Sequence, residues 1–197
     1  MDGEQNKTEP KLMSMLARDA GIIMIVFSAW AATDTWYVVS GIGLAAWASV
    51  VNAAFAGYVI GAIFHEWGHY MGAKLSGAKV PRIEPVGTSL FRFNFDLVGN
   101  SLSQFNWMSY GGWVMHWALF VLVVVSIPMD TVGRIALASS IFGFIVFATI
   151  LESGILSQTR SGAAPVDALK SLTPGKFRFA GSLALVSALI SLVTFAD

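Results

Sequence analysis

The amino-acid sequence predicts an all-α membrane protein of about five transmembrane helices, with a short β-hairpin or strand segment at the membrane surface. Three observations lead there. Of 197 residues, 55% are hydrophobic and only 12% charged, and the mean hydropathy is +0.66, far from the balance of a soluble domain. Several apolar runs are long enough to cross ~30 Å of hydrocarbon as helices, which satisfy their own backbone there. The basic residues gather at the ends of those runs rather than inside them. Formal net charge is zero and no basic block suggests a nucleic-acid partner, so the lipid bilayer is the partner that composition implies. Cysteine is absent, which excludes disulfides, thiolate metal sites and a cysteine nucleophile.

The runs fall at about 20–34, 38–64, 109–128, 132–151 and 177–195, in one multi-pass domain spanning 1–197. The first, "GIIMIVFSAWAA", is followed by an Ala29-x-Ala31 pattern of the kind a signal peptidase cuts. However, Asp2, Glu4, Glu9 and Asp19 precede it, where a secretory leader is short and plainly positive, so a retained helix is expected. Asp34 with Trp36 and Tyr37 suits an interfacial turn between the first two runs. Pro128 ends the third run, and Met129, Asp130 and Thr131 turn into the fourth.

With five spans and a cytoplasmic N-terminus, eleven of the twelve basic residues lie inside and only Arg134 lies outside. A plasma (inner) membrane location with the N-terminus toward the cytoplasm is therefore expected. Between Val80 and Asn106 the pattern changes. "LFRFNFDL" alternates Phe91, Phe93 and Phe95 on one face with Arg92, Asn94 and Asp96 on the other, which predicts a strand or hairpin.

The second run ends in "AIFHEWGHYMGAK", with His65, Glu66 and His69 where lipid is expected. Spacing of i, i+4 puts both histidines on one helix face, so their imidazoles can hold one Zn²⁺. Glu66 follows on the adjacent face, within reach of a metal-activated water as general base. Ionisable side chains at this depth are expensive unless paired or liganded, which strengthens a metal reading over a polar cluster that merely joins helices.

Around this motif the chain resembles the site-2 proteases, a family of intramembrane zinc metalloproteases. Gly68, Gly72, Ala73, Lys74 and Gly77 fall in register with the family pattern of H-E-x-G-H and the residues after it, and "RIEPVGTSLFRF" is similar to the segment that follows. A second family motif, G-P-x-x-N, is matched by "GGWVMH", with Gly112 in place and His116 where the asparagine stands. The resemblance implies that His116 donates a hydrogen bond to the substrate carbonyl, and a histidine there can also bind metal. A third motif, ending P-L-D-G, is partly matched by "PVDA", and it implies Asp167 as the third zinc ligand beside His65 and His69. Thr159 and Ala168 depart from that motif. Glu152, in "ATILESG", is the alternative ligand because a carboxylate at the end of an apolar run needs a partner.

The function expected from these features is hydrolysis of a peptide bond in or near a transmembrane segment of a membrane protein, by zinc-activated water with Glu66 as base. The alternative is an altered relative of that family acting as an accessory or scaffolding subunit of a membrane complex. No connection is long enough for a separate peptide-binding module, so substrate choice falls to the helices, the strand segment or a partner subunit.

Overall fold

A computed structural model describes the backbone of residues 9–80, 82–83 and 93–196, and the side chains of 12–80 and 93–195. Within it run the helices α1 (Glu9–Ser40), α2 (Gly43–Leu75), α3 (Leu102–Ser126), α4 (Val132–Arg160), α5 (Pro165–Lys170) and α6 (Pro174–Ala196). Two short strands, β1 (Arg82–Ile83) and β2 (Phe93–Asn94), pair antiparallel between α2 and α3. Five of the helices are long and apolar enough to span a membrane, and the chain is an all-α membrane protein. Phe91, Arg92 and the rest of the segment between the strands, 84–92, lie outside the described residues.

The spans begin or end beyond their apolar runs because capping groups set the boundaries. α1 continues through Trp36 and Tyr37 to Ser40, so the turn lies at Gly41, whose φ of 65° any residue with a Cβ adopts only under strain. This corrects the expected turn around Asp34. α2 stays helical through the histidine motif to Leu75. It closes on Gly77, at φ 69°, whose N–H donates to the Lys74 carbonyl while that of Ala78 reaches Ala73. α3 starts at Leu102, about two turns earlier than the apolar run suggests. Ser101 accepts from the Gln104 N–H, and the Gln104 side chain accepts from the Ser101 N–H, which forms a capping box.

The short connections at 41–42 and 127–131 make neighbouring spans antiparallel. The ends therefore differ: one holds the turns at Gly41 and Pro128, and the other holds the end of α2, both strands and α5. At the first end Asp34 is buried inside α1. Its carboxylate accepts from Ser49 of α2 at 3.1 Å, from Thr131 at 2.7 Å and from the Arg134 guanidinium at 2.9 Å. That cluster joins three helices, and the Trp30 indole adds a bond to the Gly133 carbonyl. The apolar core beside it is built from Trp30, Ile60, Leu119, Leu137, Ile141 and Ile145.

α2 and α3 meet along a glycine seam. A Cβ on Gly68 would strike the Gly111 carbonyl, and one on Gly72 would strike the Trp107 carbonyl. Small residues four apart let two backbones approach closely, the usual means of joining helices in lipid, where apolar burial supplies no drive.

Asp34→Ala removes a buried acceptor of three bonds and leaves Arg134 without its main partner. The expected loss is about 3 kcal/mol, against about 1 kcal/mol for Thr131→Val. Thermal unfolding of the detergent-purified variants checks this ranking. Equal midpoints for Asp34→Ala and the parent chain would show that the cluster does not hold the helices together.

Candidate metal centre

His65 and His69 lie one turn apart on α2, with ring centroids 4.3 Å apart. Both present Nε2 to the same atom, Oε1 of Glu152 on α4, at 3.1 Å and 2.8 Å. Their ligand atoms all lie within 4.8 Å of one another, the spacing of a metal-binding group. Glu152 meets the histidines because α4 runs on to Arg160, more than two turns past the apolar run, so residue 152 is interior to the helix.

The nitrogens on the far side of each ring are also engaged. His69 Nδ1 lies 2.9 Å from the Met108 carbonyl, and His65 Nδ1 lies 3.0 Å from Nδ1 of His116. A carbonyl only accepts, so His69 donates through Nδ1, and the Nε2 of a neutral ring then aims a lone pair at a carboxylate oxygen. Two acceptors at 2.8 Å need a cation between them, either a proton or a metal ion. The residues therefore fit a metal ion on an observation of geometry: two imidazoles converge through Nε2 with a carboxylate, and each has its other nitrogen fixed. The second oxygen of Glu152 is buried and has no hydrogen-bond partner.

Gly112 of α3 makes room for this cluster. A Cβ there would lie 2.5 Å from Cε1 of His69 and 2.8 Å from Cε1 of His65. Phe144 closes the opposite side, edge-on to His65 at 5.6 Å. Glu66 follows His65 on α2 and is partly buried. Trp67, between Glu66 and the glycine seam, donates its indole N–H to Asp19 of α1 at 2.8 Å, which ties the motif helix to α1.

Two expected site residues change place. Asp167 is not in the group. It sits on the short α5 with its carboxylate two-thirds exposed and paired to Lys170 at 2.8 Å, three residues on. α5 instead buries Ala168, which packs with Phe105 and Ile155. Glu152, weighed as the alternative, takes the position. His116 is fully buried and stands behind His65, with the two rings nearly parallel and its Nδ1 3.0 Å from that of His65. Thr159, also fully buried, donates to Asn106 at 2.8 Å and joins α4 to α3. Met108 lay beyond sequence reasoning, since its contribution is a backbone carbonyl.

Replacing His116 by Phe removes the ring nitrogen that faces His65 Nδ1, and zinc affinity is expected to fall roughly 10–100-fold. His116→Gln keeps a hydrogen-bonding group and should stay within a few-fold of the parent. Competition with a chromogenic chelator reads both, and equal affinities for all three chains would sink this role.

Compared with protein-family models, with curated proteins and with solved structures, the chain matches none of them.

Proposed function

We propose that the chain is an intramembrane zinc endopeptidase that cuts a peptide bond in or near a transmembrane segment of another membrane protein. The observation that carries this reading is the convergence of His65 and His69 on one oxygen of Glu152, with Glu66 beside His65 in the same helix. A zinc ion held by His65, His69 and Glu152 would leave a position open, bring the pKa of a water there to ~7 and polarise a carbonyl.

The chain's own groups supply the rest. Glu66 takes the proton of the attacking water and returns it to the leaving amine. Met108 and His116 hold the two imidazoles in the orientation that presents Nε2. Burial of His65 and His116 among helices keeps bulk water away from these groups. His65 lies ten residues from the end of α2, about 15 Å along the helix, which supports a cut within the span and not beyond it. Helical peptide bonds are shielded by their own hydrogen bonds, so the substrate unwinds locally, and the edge of β2 that no described strand covers is suited to receive it as an added strand.

The proposed membrane is the plasma (inner) membrane, with the N-terminus and site toward the cytoplasm. Support comes from Lys74, Lys79, Arg160, Lys170, Lys176 and Arg178, which all lie in the terminal turns of spans or in the connections between them at the end nearer the histidines.

One observation favours a second reading. His65, His69 and Glu152 already bond directly, as a polar cluster joining α2 to α4 in a scaffolding subunit would. Zinc content separates the two. One zinc per purified chain is expected, lost in His65→Ala and Glu152→Ala and kept in Asp167→Ala and Glu66→Gln. Cleavage of membrane-spanning peptides should fall at least ~100-fold in Glu66→Gln. A folded parent chain without zinc would overturn the protease reading in favour of the scaffold.

A further inference from the structure

A cavity of about 290 Å³ opens beside the histidine group, between β2, α3, α4 and α5. Its walls are Phe93 and Phe95 from the strand segment, Phe105 and Met108 from α3, Ile155 from α4 and Leu169 from α5. Phe95 and Phe105 meet edge-to-face at 5.9 Å, and Phe105 is buried with Ile155 and Ala168 in a small core of its own. At one corner stand Glu152 and Ser109. Two of these residues belong to the metal centre: Glu152 faces both histidines, and the Met108 carbonyl holds His69.

We propose that this cavity is a subsite for one bulky apolar side chain of the bound peptide, flanking the bond to be cut. The inference rests on the hydrolase reading and adds what that reading leaves open, which is the side chain selected. Volume suits the occupant, since a cavity of ~150 Å³ lined by apolar side chains already holds a benzene ring. Chemistry suits it too, because the walls are mainly aromatic and aliphatic, with Asn94, Ser109 and Glu152 as their polar residues. Position supplies the third argument. Among the described residues β2 pairs only with β1, and a chain added along its other edge alternates its side chains between two faces. With Phe93, Asn94 and Phe95 in the cavity wall, a side chain on one of those faces enters the cavity while the neighbouring backbone passes Glu152. A lipid acyl chain fits less well, since it would cover a carboxylate with hydrocarbon.

The test is binding of four N-acetyl amino-acid hydroxamates, with glycine, alanine, leucine and phenylalanine side chains, to the zinc-loaded full chain in detergent, by calorimetry. The hydroxamate anchors at the metal centre and the side chain probes what lies beside it. The leucine and phenylalanine probes should bind at least ten-fold tighter than the glycine probe, with alanine between. Leu169→Trp, which fills the cavity from its outer wall, should reduce that preference below about three-fold. Zinc content and affinity for the glycine probe should stay unchanged. Phe95→Ala, on a different wall, should weaken the preference several-fold and guards against a folding defect in the first variant. Micelles take up apolar probes equally for every variant, so the comparison isolates the cavity. Equal affinities for all four probes with zinc in place, or a preference that both variants leave intact, would remove the subsite and spare the metal centre. A parent chain that holds no zinc would remove the hydrolase reading and the subsite together.

Discussion

A carboxylate inside an apolar helical bundle is expensive unless something neutralises or hydrogen-bonds it, and this constraint organises the molecule. Among the described residues, Asp19, Asp34 and Glu152 are buried or nearly so within the spans, and each binds across to another helix. Asp19 of α1 accepts from Trp67 of α2. Asp34 of α1 accepts from Ser49 of α2 and from Thr131 and Arg134 at the start of α4. Glu152 of α4 meets His65 and His69 of α2. Helix α2 is the common partner in all three, so the costs of burying charge are met by contacts that also position the histidine motif.

The same helix meets α3 through glycines. Gly68, Gly72, Gly111 and Gly112 remove side chains where the two backbones would otherwise be held apart. The approach brings the Met108 carbonyl within reach of His69 and His116 within reach of His65. Spacing between helices and orientation of imidazoles are therefore one problem here. Substituting Gly112 would push on both rings at once, while Gly68 acts one step away through the backbone of α3.

The two ends of the bundle differ in what their polar groups do. At the end with the turns, Asp34, Thr131, Arg134 and Asp130 satisfy one another within a closed network. At the other end, one oxygen of Glu152 and the Nε2 of His116 remain buried without a hydrogen-bond partner. Unsatisfied polar atoms in a dry interior are costly, and folded proteins tolerate them mainly where chemistry or a ligand uses them. That contrast supports assigning function to the histidine end and structure to the other.

Fold class was legible because it depends on summed composition. Long apolar runs must form helices in hydrocarbon, whatever their packing, and five spans follow from their lengths. The pairing of His65 with His69 was equally legible, since i, i+4 neighbours share a face in any helix. Helix ends were less so. Ser101 and Gln104 do spell a capping box ahead of α3, but the apolar run masked it. What the sequence by itself determined about this protein is thus local: the spans, the paired histidines and the glutamate between them. Only the tertiary structure decided that Glu152 joins those histidines while Asp167 pairs with Lys170 at the surface. It likewise decided that His116 faces His65 and that the Met108 carbonyl orients His69. Those choices depend on how far α4 extends and how closely α3 lies against α2, distances between segments that no local periodicity encodes.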